Sequence, residues 1–330
     1  MWAIDNETPF AVARGFARDR DGGELWLVAI KATADVAADG TISLAATQEP
    51  VLHAPVPDDP AGEAGLRYEA ELLPGKCTTD IVLHATAHAP RGQPTSAMVV
   101  KVQVGTVAKT LRVTGDRRWE RGRFGLELSP PEQFTSMELT WRRAYGGKDP
   151  RQDAHDRRNP IGRGFAVRAE HRAGTLAPNI LYPGIDDVPA CFAPVARDWM
   201  PRVALAGSYD QTWQDTRKPL PPDDFDDRFL QAAPEDQQPR RHLTGGEEVA
   251  LTNLTPTGQW RFHLPRLALN CTTRFGRRSV HHRPDLQSVT IEPDAGRVIM
   301  LWGTSLPCHD TLYELTGARV TLKRRQSNAA

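Results

Sequence analysis

No stretch of this chain stays apolar for long. Leu25-Trp26-Leu27-Val28-Ala29-Ile30 is the longest strongly apolar run, far short of the roughly 20 residues that span a bilayer. The start, Met1-Trp2-Ala3-Ile4-Asp5-Asn6, has neither the basic opening nor the apolar core of a secretory leader. The expected compartment is the cytoplasm, unless a dedicated machine exports the chain without a leader. Net charge is missing too: Lys plus Arg and Asp plus Glu stand at 41 each, so no global field draws the chain to nucleic acid or to an anionic membrane. Cysteine is scarce and scattered. Cys77, Cys191, Cys271 and Cys308 form no C-x-x-C pair, which in a reducing compartment reads as buried small hydrophobes rather than disulfides. A zinc site from Cys271, His281, His282 and Cys308 would match no structural zinc spacing.

Signatures of common chemistry are lacking as well. Pro74-Gly75-Lys76-Cys77-Thr78-Thr79 has the look of a phosphate loop, but Ala70 stands where the first glycine belongs and Cys77 replaces the hydroxyl residue. There is no G-x-S-x-G or H-E-x-x-H, and no Cys/His nucleophile arrangement. Asp223, Asp224, Asp226 and Asp227 lack the alternating oxygens and glycine turn of a calcium loop, since Phe225 and Arg228 interrupt them. The basic runs Arg117-Arg118-Trp119, Arg142-Arg143, Arg277-Arg278 and Lys323-Arg324-Arg325 interleave with aromatics, but zero net charge favours ion pairs or a protein interface over nucleic acid. The expectation is a chain with no catalytic metal and no organic cofactor.

What the chain does contain is β pattern on either side of an irregular middle. In residues 1–143, Glu24 to Thr33 is strand-like, Asp39-Gly40 signals a hairpin, and Thr41 to Ala45 returns. Asp80 to Ala87 and Ser96 to Val104 alternate, with Val100, Val102 and Val104 on one face. Val107 to Val113 follows the Gly105-Thr106 turn, and Met137 to Arg143 closes the region. In residues 244–330 the strands are Val249 to Leu254, Gln259 to Leu264, Leu267 to Phe275, Ser279 to His282, Leu286 to Ile291, Arg297 to Trp302 and Ala318 to Lys323. Short turns without helical period between strands imply antiparallel sheets, a sandwich or meander, rather than a parallel sheet. The predicted fold class is mainly β, with the three segments forming one integrated domain.

The middle, residues 144–243, holds twelve of the 27 prolines, so regular pairing is interrupted throughout. Yet Tyr145, Phe165, Tyr182, Phe192, Trp199, Tyr209, Trp213, Phe225 and Phe229 recur along it, and disordered linkers are poor in aromatics. It reads as a long ordered insert carrying short helices, one at Ser208 to Arg217 and one starting near Pro222-Asp223, with Phe225, Phe229 and Leu230 on a shared face. Long ordered irregular segments commonly carry function. The candidate partner-binding surface is therefore Tyr209, Asp210, Trp213, Asp224, Phe225, Arg228 and Phe229, a concentration of aromatic, arginine and acidic side chains.

Several motifs recur together in one bacterial family. They run from Asn6-Glu7-Thr8-Pro9-Phe10, Lys31-Ala32-Thr33 and Gly115-Asp116-Arg117-Arg118-Trp119 through Tyr145-Gly146-Gly147 and Asn159-Pro160-Ile161-Gly162-Arg163-Gly164. They continue with Trp199 to Arg202, Ala206-Gly207-Ser208-Tyr209-Asp210, Leu220-Pro221 through Phe229, Ala232-Ala233-Pro234, Asp236-Gln237 and Phe262-His263-Leu264-Pro265. In these the chain resembles the family catalogued as domain of unknown function 2169, found beside type VI secretion spike and effector genes. The resemblance implies a non-enzymatic adaptor or chaperone that holds an effector protein in the cytoplasm and helps load it onto the spike tip, with no nucleic-acid or membrane partner. Cys77, Cys191 and Ala193 depart from the family's common residues as local loop changes. The alternative reading is an enzyme or carbohydrate-binding β-sandwich using Asp210, Asp223 and Asp236 near Trp213. A structural part of the secretion apparatus is a third.

Overall fold

The apolar run Leu25–Ile30 lies in the strand Glu24–Val36, which is buried almost without interruption, as a strand covered on both faces must be. This strand is the spine of a six-stranded sheet in the order Ala11–Arg18, Glu24–Val36, Arg297–Pro307, Asp285–Glu292, Asp80–Leu83, with Ile42–Leu44 also pairing to the spine. Trp26, Val28, Ile30, Ala32 and Ala34 enter the main core from one face. On the other face Ala29 packs with Val51 and Leu301. There Lys31 Nζ reaches Pro50 O and Glu71 at 3.0 Å, and Gln48 bonds the backbone of Thr33. The structure is a computed structural model that describes residues 2–59 and 65–323; Arg324 and Arg325 of the basic tail lie outside the described residues.

A five-stranded antiparallel sheet runs Ile180–Leu181, Val107–Thr114, Ala97–Val104, Glu248–Thr252, Gln259–His263. The alternation read from Ser96 to Val104 holds: Val100, Val102 and Val104 are buried and Lys101 is exposed. Their inward face joins the same core cluster as the spine, the arrangement of a sandwich. The sheets are also stitched at one edge, where the Trp260 indole donates to Ala37 O at 2.9 Å. Gly40, at φ +85°, lies so close to the second sheet that a Cβ there would sit 2.0 Å from Arg261 O. A four-stranded sheet, Ala3–Glu7, Leu315–Leu322, Leu269–Phe275, Arg278–His282, completes the frame. Strands from before residue 143 and after residue 244 thus pair with each other in all three sheets.

The frame is mainly β and mostly antiparallel, as the pattern implied, with two parallel pairs that it did not. Ala3–Glu7 pairs in parallel with Leu315–Leu322, and Asp80–Leu83 with Asp285–Glu292. Short-turn reasoning governs strands that are neighbours in sequence; these partners are separated by most of the chain and need no local crossover. The expected strand Asp80 to Ala87 breaks after Leu83. Its ladder is taken over by the insert, with Leu83 N–H donating to Phe192 O at 3.1 Å and Gln237 Nε2 donating to Ile81 O at 2.7 Å. An edge that would otherwise be open is covered in this way.

Short helical pieces punctuate the insert, among them the two that the sequence suggested. Gln211–Thr216 is an α-helix capped by Asp210, close to the expected span. The second expected helix is only a 3₁₀ turn, Asp227–Leu230, and it starts later than Pro222-Asp223 suggested. Asp226 supplies the capping oxygen to Arg228 N–H, while Asp224 is already engaged by Ser208.

Candidate partner-binding surface

Proline-rich irregular chain leaves carbonyls and N–H groups without ladder partners, and burial makes each of them costly. In the insert, buried charged and amide side chains meet that demand. Arg202, 4% exposed, donates to Val195 O and Phe229 O at 2.8 Å each and to Glu69 at 2.5 Å, with its guanidinium 5.4 Å from the Phe229 ring. Glu69 takes Arg197 as well, at 2.6 Å. Burial works to raise the Glu69 pKa, but the two arginines outweigh it and hold the carboxyl below its ordinary value. Asp80 accepts from Lys76 Nζ at 2.5 Å, Ala232 N–H at 2.8 Å and Gln231 Nε2 at 3.0 Å. The apparent phosphate loop is thus an internal clamp, and Thr78 and Thr79 next to it bond the carbonyls of Pro239 and Leu286.

Lys109 repeats the device from the five-stranded sheet. Its ammonium, on a residue 3% exposed, donates to Cys191 O at 2.7 Å, Gln237 Oε1 at 2.8 Å and Asp236 at 2.9 Å. It sits 5.5 and 5.7 Å from the Tyr182 and Phe192 rings. Burial pulls its pKa down, and Asp236 opposes that pull. Asp149 gathers the N–H groups of Arg151, Gln152 and Val167 and the ring of His171. Asn159 Nδ2 bridges Trp141 O and Tyr145 O, both at 2.9 Å.

On this scaffold the residues singled out from sequence fall into three local groups. Tyr209, 56% exposed, meets Trp213 edge to face at 4.8 Å, and Asp210 caps the helix by accepting from Trp213 N–H at 2.9 Å. The half-buried Trp213 is pinned by its indole N–H on Leu220 O at 2.8 Å. Asp224 accepts from Ser208 N–H and Oγ at 2.8 and 2.7 Å. Phe225 and Phe229 stack edge to face at 5.7 Å, both half-buried, and Arg228 lies exposed against Asp226. The group is tied to the Asp19–Gly23 turn of the frame, where Arg20 bonds Phe225 O and Arg217 bonds Arg20 O at 2.7 Å. The aromatics are therefore partly pinned to the insert and partly exposed.

Beside this group opens a cleft of about 600 Å³ formed almost wholly by the insert. Its walls include Trp141, Tyr182, Met200, Leu205, Pro234 and Arg228, so Arg228 belongs to both the surface and the cleft. Sequence reasoning missed the cleft. Trp199 to Arg202 and Ala232-Ala233-Pro234 had stood out as motifs, but nothing in their spacing shows that residues 141 and 234 wall one recess.

The three carboxylates of the enzyme reading take three separate partner sets. Asp210 caps a helix, Asp223 pairs with Arg217 at 3.0 Å, and Asp236 receives Lys109 and the Tyr182 hydroxyl, the latter at 2.7 Å. Among the described residues no group of three His, Cys, Asp or Glu side chains is placed to hold a metal ion. Cys271 is buried, which pushes its thiol up to about 12, and His282 bonds Thr273 and Thr304 at 2.9 and 3.0 Å. No helix among the described residues is long and apolar enough to cross a membrane.

A mainly β frame carrying a charge-locked irregular insert is the class that this architecture defines. Within it, the chain belongs to the family described as an uncharacterized protein conserved in bacteria, domain of unknown function 2169, whose profile matches residues 21–303. Comparison with curated proteins and with solved structures gives no match.

Proposed function

We propose that the chain is a non-enzymatic adaptor of type VI secretion, which binds an effector protein in the cytoplasm and helps load it onto the spike tip. The observation that carries this reading is the division of labour inside the insert. The charges that lock it, Glu69 with Arg202, Lys76 with Asp80 and the buried Lys109 with the rim residue Asp236, come largely from the frame and are spent on fixing loops. What those loops present outward is an open cleft with Arg228 in its wall, together with the exposed Tyr209 and Asp224. Ordered loops of mixed polarity with aromatic and arginine anchors suit protein recognition. Family membership supports the same reading through the resemblance to adaptors encoded beside spike and effector genes.

Co-purification tests it. The tagged chain, expressed with the products of its neighbouring genes, is expected to retain an effector and a spike component through gel filtration. Recovery of the chain alone from such a co-expression, with both candidates soluble, contradicts the adaptor role.

A further inference from the structure

A short hairpin arm, Trp119–Arg121 paired with Leu126–Leu128, belongs to none of the three large sheets. At its tip Phe124 is 90% exposed, with the Arg123 guanidinium 5.5 Å from its ring. Strand alternation puts Trp119, Arg121, Leu126 and Leu128 on one face and the directly opposed Glu120 and Glu127 on the other. The first face overlooks a recess of about 510 Å³, closed on the far side by Ala169, Glu170 and Arg172. Arg172 stacks over the Trp119 ring at 5.4 Å.

Two features of this recess point to a ligand. Trp119 Nε1 and Arg172 Nε, on residues that form its wall, are buried N–H donors without an acceptor. Native proteins rarely leave such donors unmet. The second feature is an open strand edge. On the Trp119 side, the outward backbone groups bond Thr175 O and Gly174 N–H. By the same two-residue alternation, the N–H and C=O groups of Leu126 and Leu128 face the opposite side, where no backbone partner lies among the described residues.

We infer that this arm is a second docking site, which takes a short, extended, acidic segment of a partner protein as an added strand along Leu126–Leu128. The charge favours that occupant: Arg121 and Arg172 line the recess against the single carboxylate of Glu170, with Arg123 following at the exposed tip, while Glu120 and Glu127 point away. Carboxylates and carbonyls are the acceptors that the unmet N–H groups require. Strand addition supplies main-chain hydrogen bonds, and alternate side chains then enter the recess. Ser129-Pro130-Pro131 ends the edge after three residues, which keeps the docked strand short.

The arm shares no residue with the Tyr209–Phe229 surface, and its test uses neither effector nor spike, so it stands or falls apart from the adaptor reading. The probe is a fluorescein-labelled octapeptide of alternating Glu and Val, with octapeptides of alternating Lys and Val and of Glu alone as comparisons. Saturable anisotropy binding is expected for Glu-Val, at least tenfold weaker for the other two. Arg121→Glu with Arg123→Glu, both exposed, should weaken Glu-Val binding at least tenfold at unchanged melting temperature. Amide exchange at Leu126 and Leu128 should slow when the peptide binds. Equal binding of Lys-Val or polyglutamate, an unaffected charge-reversed variant, unslowed exchange at the two leucines, or no saturable binding of Glu-Val each overturns the proposal.

Discussion

The β frame and the insert are built from the same chain by different forces. Around the Glu24–Val36 spine, stability comes from apolar side chains packed between sheets and from continuous backbone ladders. In residues 144–243 the backbone has few ladder partners, and Glu69, Asp80, Lys109, Asp149, Asn159 and Arg202 substitute for them. The frame is therefore tolerant and graded in its response to change, because apolar contacts are lost in proportion to the atoms removed. The insert is brittle, because deleting one partner of a buried charge strands the other. That contrast is where the two regions can be told apart by experiment.

The largest effect is expected from Arg202→Ala. It leaves Glu69 with the half-exposed Arg197 as its only cation, beside the Ala70 N–H, and strips Val195 O and Phe229 O of their donor. Loss of about 3–5 kcal/mol is expected for breaking a buried pair, measured by denaturant unfolding, with limited proteolysis cutting within residues 195–230 before the frame. A loss below about 1 kcal/mol would remove the contrast.

Second comes a pH response from the frame. Burial lowers the His282 pKa to about 4, and His281 adds to the effect. The fold holds the neutral ring, whereas the unfolded chain takes up a proton near pH 6.5. The stability linked to His282 is complete above pH 6.5 and drains away as pH falls toward 4, by at most about 3 kcal/mol. Thermal unfolding across that window should show the slope, and His282→Gln should flatten it.

Trp213→Ala is placed third. A fully buried tryptophan costs about 3–5 kcal/mol on truncation, so a half-buried one with a single indole hydrogen bond should cost about 2 kcal/mol. Loss of the full core value would mean that the side chain only pins the insert. The smallest effect belongs to the spine, where Ile30→Val is expected to cost about 1 kcal/mol and to leave proteolysis of the insert unchanged.

The same contrast decides what could be read from sequence. Period-2 alternation exposed the frame, since Val100, Val102 and Val104 face the core as their spacing says. It could not show which distant strands pair, so the parallel partners of Ala3–Glu7 and Asp80–Leu83 were invisible. In the insert, the aromatic and proline content revealed order without revealing form. The helix expected at Ser208 to Arg217 lies close to its place, because the signals that start it, with Asp210 as the cap, are local. Lys109 was not recognisable as an anchor, since its partners Cys191, Asp236 and Gln237 lie 82, 127 and 128 positions away. The clamp at Lys76 and Asp80 likewise resembled a broken phosphate loop until Ala232 and Gln231 were seen to close it.

The central claim is that this rigid insert presents a partner-binding surface, and the affinity of a charge-reversed variant for the effector tests it most directly. Asp224→Lys with Arg228→Glu alters two exposed residues of the candidate surface, of which Arg228 also lines the cleft. With the effector captured in the co-purification as ligand, the variant is predicted to bind about thirtyfold more weakly, the equivalent of about 2 kcal/mol, while its melting temperature stays close to that of the parent. Unaltered affinity in a folded variant would contradict it.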